Sequence, residues 1–177
     1  AELRTPAGLA TDPAGNLLIA DSENARIRRV DIRTGIMTTV AGNGIKATFE
    51  GTAFSGTAAL TTPLTTIHEL AADAAGNIYF SDSFQIGKVE AATGLVRTIS
   101  NTAFVEHMVA DAGGNLYFMT SSGSRVQKLS TSNTVTTFAG GGNPADGVGD
   151  NLPATQASLS SARGEHFHPV RRDSRKD

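Results

Sequence analysis

One turn motif, Asp-x-x-Gly-Asn, occurs three times in this chain of 177 residues, opening at Asp12, Asp73 and Asp111. A sequence that repeats one supersecondary unit folds as a row of similar modules, because no unit can bury its apolar face alone. Each motif follows a short apolar run, "GLAT", "ELAA" or "HMVA", and leads into a strand-like run, "NLLIA", "NIYFS" or "NLYFM". An alternating segment comes next ("ARIRRVD", "IGKVE", "SRVQKLS"), then a threonine-rich run ("TGIMTTVAG", "TGLVRTIS", "NTVTTFAG"). Four β-branched or aromatic runs per unit, bounded by Gly, Asn and Asp, predict a four-stranded antiparallel meander. Gly and Asn tolerate the positive φ of a tight hairpin, and the leading Asp can accept backbone N–H groups from its own turn. "ELAADAA" is compatible with a helix by propensity, but its register with the other two units predicts a strand.

The spacing predicts the organisation. Asp12 and Asp73 are 61 residues apart and Asp73 and Asp111 are 38 apart. The excess is the Gly/Thr/Ala-rich stretch 43–66, and a related stretch follows the third unit. We read residues 1–162 as repeat units: unit one 1–42, a linker 43–66, unit two 67–101, unit three 102–140 and a second linker 141–162. "AELRTP" resembles the end of a linker, so the chain opens inside one, and residues 163–177 read as a truncated fourth repeat or a disordered tail. Three units and a stub are the pattern of a fragment of a longer product.

Composition removes several function classes. Lys and Arg number 15 against 17 Asp and Glu, a net charge of −2, which gives no field for capturing nucleic acid. Residues 163–177 hold five basic and three acidic side chains, so residues 1–162 hold ten against fourteen. There is no cysteine, so disulfides and thiolate metal sites are excluded, and no segment approaches the ~18 consecutive apolar residues of a membrane span.

The string "PAGLATDPAGNLLIADSENARIRRVD", residues 6–31, resembles an NHL repeat, and "AGNG" with its spacer resembles the secreted bacterial branch of that family. The resemblance extends over three copies in residues 1–162 and is weakest in the second, which lacks two residues after Asp82 and the arginine matching Arg26 and Arg125. It implies an all-β fold, a partial β-propeller of about three four-stranded blades from a six-bladed ring. It also implies a bacterial protein of extracellular or periplasmic location, and a non-catalytic scaffold binding a protein or carbohydrate partner rather than nucleic acid. No cofactor is implied. The Asp, Gly and Asn of the turns are then structural. Asp21 and Asp82 would hydrogen-bond backbone after the second strand, with Thr120 in their place in unit three, and Asn24 and Arg26 would bridge strands. Blades uncovered at either end of the row would drive self-association.

One irregularity carries the alternative, a lyase- or lactonase-like enzyme with a Glu/His site at the central channel. Where unit one has Ala7 and Gly8, unit two has His68 and Glu69, and unit three Glu106 and His107. Glu69 and His107 form a candidate acid/base pair, and His68 and His107 are candidate ligands for a divalent metal, although two blades supply too few. The remaining signals are weaker. His166 and His168 lack companions, Arg26, Arg28, Arg29 and Arg33 crowd a single unit, and Asp146 and Asp150 form an incomplete calcium pattern.

Overall fold

A computed structural model describes residues 2–48, 53–102, 104–121, 123–145, 147 and 149–159. Residues 163–177, with His166 and His168, and Asp146 lie outside the described residues. The fold is all-β, a partial propeller of three antiparallel sheets. Blade one is β1 (Pro6–Thr11), β2 (Leu17–Asp21), β3 (Arg26–Val30) and β4 (Met37–Ala41), paired in chain order. Blade two carries a strand from the stretch read as a linker: β5 (Ser55–Ala58) lies outside a meander of β6 (Leu70–Ala72), β7 (Ile78–Ser81), β8 (Ile86–Val89) and β9 (Leu95–Ser100). Blade three is β10 (Val105–Ala110), β11 (Leu116–Thr120), β12 (Arg125–Leu129) and β13 (Val135–Gly140).

Ser55–Ala58, "SGTA", has little strand propensity of its own. Its pairing with β9 (Thr57 opposite Val96, Ala58 opposite Leu95) comes from the open edge that the outer strand offers.

The three Asp-x-x-Gly-Asn turns share one geometry. Oδ1 of Asp12 accepts the backbone N–H of Ala14 and Asn16, and Asp73 does the same with Ala75 and Asn77. Asp111 Oδ1 accepts from Asn115 N, and in all three turns the other carboxylate oxygen accepts the Asn side-chain amide. Gly15, Gly76 and Gly114 each sit at φ +81°, a left-handed conformation that a side chain would strain. Asn16 Oδ1 then accepts Ile32 N, and Asn77 Oδ1 accepts Ala91 N, tying this turn to the one between the third and fourth strands. These turns form the lower rim.

Blades stack face on face. The forward face of blade one (Leu18, Ala20, Ile27) packs on the rear face of blade two (Leu70, Ile78, Phe80, Val89, Val96). Ala71, Tyr79 and Ile86 on the forward face of blade two pack on Val105, Met108, Leu116, Phe118 and Leu129 of blade three. Strand alternation sorts side chains to the two faces, and a fully buried Phe contributes about 1.5–3 kcal/mol. All three sheets bulge between their third and fourth meander strands, at Ile27/Arg28, Ile86/Gly87 and Val126/Gln127.

Candidate functional site

The opposite, upper rim holds the inner-strand starts, the turns after each second strand and the stretches between blades. Its buried polar anchors are Asp21 and Asp82. Asp21 Oδ1 accepts Arg4 N at 2.9 Å, and both its carboxylate oxygens accept from Asn24 Nδ2. Asp82 Oδ1 accepts Phe84 N (2.8 Å) and Gln85 N (2.9 Å), while Oδ2 accepts Thr65 Oγ1 (2.8 Å) and Gln85 Nε2 (3.0 Å). Gln85 thus supplies in the shortened turn of blade two what Asn24 supplies in blade one. Arg26 bridges as its position suggests, donating to the carbonyls of Asn24 and Asn43. These groups hold loops in place and offer no free chemistry.

His68 and Glu69 stand at the start of the inner strand of blade two. Backbone bonds from His68 N to Ser81 O (2.9 Å) and from Ser81 N to Glu69 O (3.1 Å) fix the pair. His68 Nε2 lies 3.3 Å from Ser83 Oγ. Glu69 is walled by blade one: a methyl group at Gly8 would lie 2.7 Å from the His68 carbonyl oxygen and 2.8 Å from Glu69 Cα. The two backbones touch because residue 8 has no side chain. Burial of its side chain pushes the Glu69 carboxyl from 4.5 up to about 7.

Glu106 and His107 follow Val105 at the start of β10, which packs beside β6. Both are exposed. Among the described residues no hydrogen bond or ion pair joins either to His68 or Glu69, and no three His, Asp or Glu side chains group where a metal could sit. The four candidates therefore occupy the same end of neighbouring inner strands without forming a linked pair. Elsewhere, Arg28 donates to Thr39 Oγ1 within blade one, and strand alternation puts Arg28 and Arg29 on opposite faces. Asp150 is exposed.

Three further rim residues lie outside the candidate set, of which Ser83 aligns with Ser22 of unit one. Ser83 Oγ pairs with His68 Nε2, and the Ser83 carbonyl accepts Phe104 N at 3.1 Å, linking blade two to blade three. Phe84 and Phe104 are 46% and 55% exposed, with ring centroids 6.0 Å apart and planes tilted by 54°. Phe104 has φ +54°, and Thr5, seven residues before its own anchoring Asp just as Phe104 is, has φ +47°. The left-handed step opens the inner strand of blades one and three but not of blade two, where Thr66 holds the equivalent place. What distinguishes blade three is a phenylalanine on it, and that alignment was the available signal.

Two hollows lie nearby, one in the stretch between blades one and two and the other between blades two and three. One of about 360 Å³ is lined by Ile45, Lys46, Phe54, Thr57, Thr62 and Pro63. The other, about 260 Å³ between blades two and three, contains Lys88 and the Glu90–Arg97 ion pair (3.2 Å).

Residues 3–30 match the family model of the NHL repeat. Curated proteins give no match. Among solved structures the chain is similar to one from a nidogen/laminin complex, with TM-score 0.59 and 18% identity over 78% of this chain and 49% of that one. It is also similar to virginiamycin B lyase from Staphylococcus aureus, with TM-score 0.51 and 15% identity over 75% and 40%. The chain spans half or less of the length of either structure. Among the described residues no helix is long and apolar enough to cross a membrane.

Proposed function

We propose that this chain, which carries an NHL repeat in the first of three propeller blades, is a non-catalytic interaction module of an exported bacterial protein. It binds a protein or carbohydrate partner on the upper rim of blades two and three. The observation that carries the reading is the Phe84–Phe104 pair, two exposed rings from different blades held 6.0 Å apart. Exposed aromatic rings contribute large contact area with few rotatable bonds, and they dominate protein interfaces. His68 and Ser83 supply a polar border beside them. The Gly/Ala/Thr-rich linkers support export, and the similarity to a structure from a nidogen/laminin complex supports a protein partner. The test is selection from a glycan array and a displayed peptide library. Ligands selected on the wild type should weaken at least about tenfold on Phe84→Ser/Phe104→Ser, a loss of about 1.4 kcal/mol, while Glu69→Gln retains them. Full binding by the phenylalanine variant would refute the site.

The enzyme reading is favoured by one observation, the Glu69 carboxyl held near neutrality, where general acid/base exchange is efficient. It requires turnover of a lactone or of virginiamycin B by the wild type that Glu69→Gln abolishes.

A further inference from the structure

The hollow between blades two and three has walls of different chemistry. Blade two supplies the charged wall, where Lys88 of β8 pairs in register with Arg97 of β9 and Glu90 follows at the turn. Glu90 is engaged locally, its two carboxylate oxygens accepting from Arg97 Nε (3.2 Å) and Thr93 Oγ1 (2.7 Å). The guanidinium of Arg97 lies against β5. A Cβ at Gly56, which has φ +85°, would stand 2.6 Å from Arg97 Nη1, so the approach exists because residue 56 has no side chain. Lys88 Nζ sits 5.5 Å from the centroid of the Tyr79 ring and, among the described residues, has no hydrogen bond or ion pair. Blade three supplies the facing wall of Ser130, Thr131 and Asn133, and Tyr79 and Leu116 form the floor. The Tyr79 hydroxyl is already bound to Asp73 Oδ2 (2.8 Å) and reaches the Gly114 carbonyl (3.5 Å). Asp73 in turn accepts from Ala75 N, Asn77 N and Asn77 Nδ2, so its charge is met below the floor.

We propose that this hollow binds a small hydroxylated carboxylate of monosaccharide size. Its volume of about 260 Å³ falls just below the ~300 Å³ at which pockets for drug-sized ligands begin, so the occupant is small. On the charged wall two cations face one carboxylate, and the surplus positive charge matches a monoanion. A dianion would set its second charge beside Glu90. The ligand carboxylate accepts from Lys88 Nζ and the terminal amino groups of Arg97, charge-assisted bonds stronger than neutral ones. Its hydroxyls meet the side chains of Ser130, Thr131 and Asn133 across the hollow. The cation pair belongs to blade two alone. The register pair equivalent to Lys88 and Arg97 is Arg29 and Thr38 in blade one, and Lys128 and Thr136 in blade three. Blade two is also the blade with a fifth strand, and that strand holds Arg97 in place. The site uses residues of two adjacent blades and does not depend on the function proposed for the Phe84–Phe104 rim.

The probe is sodium glucuronate, with methyl glucoside as its uncharged counterpart and inorganic phosphate as a plain anion, all at equal ionic strength. A ligand this small should bind with a Kd on the order of 1 mM. At about 20 mM, near saturation, amide NMR shifts should concentrate in residues 88–97 and 129–133. Thermal unfolding should rise by about 5 °C, because the ligand binds only the folded pair of blades. Lys88→Gln and Arg97→Gln, both at positions open to solvent, should each weaken binding at least about tenfold with circular dichroism unchanged. Phe84→Ser/Phe104→Ser should retain it. The proposal is overturned by a spectrum that glucuronate leaves unchanged, by methyl glucoside or phosphate binding as tightly as glucuronate, or by binding that survives Lys88→Gln.

Discussion

Replacing Glu69 by Gln should make stability less sensitive to pH in a calculable way. Burial raises the folded carboxyl from 4.5 to about 7, so the folded state binds its proton more tightly than the unfolded chain. The sign follows. Below pH 4.5 the group is protonated in both states and costs nothing. Between 4.5 and about 7 the unfolded chain ionises first, and folding loses stability as pH rises. Above about 7 the full penalty stands. The whole gap corresponds to about 3 kcal/mol at about 1.4 kcal/mol per decade, and solvent access to this half-buried side chain reduces it to about 1–2 kcal/mol. Glu69→Gln, which has the same shape and no ionisation, should match the wild type at about pH 4 and exceed it by that amount at about pH 8. Urea unfolding across this range measures the difference, and a carboxyl ¹³C titration of Glu69 gives the midpoint directly. A titration midpoint near 4.5, or a difference that does not change with pH, would refute the argument that burial raises this carboxyl.

Gly8→Ala should destabilise by about 1–3 kcal/mol, the usual cost of overpacking, because the new methyl meets backbone atoms of His68, Glu69 and Leu70 that cannot turn aside. Thermal unfolding should fall by about 2–4 °C per kcal/mol, and the Glu69 titration should move down as the blades part. Asp82→Ala should cost about 3–5 kcal/mol by orphaning the buried donors of Gln85 and Thr65 at about 1–3 kcal/mol each, whereas Ala at exposed Asp150 should be neutral, both by urea unfolding.

The blades were legible because their signals are local. Turn residues at fixed offsets and period-2 alternation recur in register, and all three Asp-x-x-Gly-Asn turns form the hydrogen bonds their composition suggests. Strand β5 was not legible, since "SGTA" reads as a loop and becomes a strand only against the edge of β9. The upper rim was half legible. Aligning the units placed Gly8 and Glu69 at equivalent positions, but that they touch across two blades is a tertiary fact. The same alignment set His107 and Glu69 at one end of adjacent strands without telling whether their side chains meet. Phe84 gives no signal in the sequence and Phe104 only its alignment with Thr5, because exposed aromatic residues have no periodicity and declare themselves only once two loops converge.

The doubly bridged lower turns carry a practical consequence. In blades one and two, Asn16 and Asn77 clamp one hairpin to the next, so that end can accept little change in length. The upper end already accommodates a two-residue deletion after Asp82 and a long stretch between blades one and two. Foreign recognition loops grafted there, and not below, should leave the sheets intact, which makes this small cysteine-free chain a candidate chassis for engineered binders.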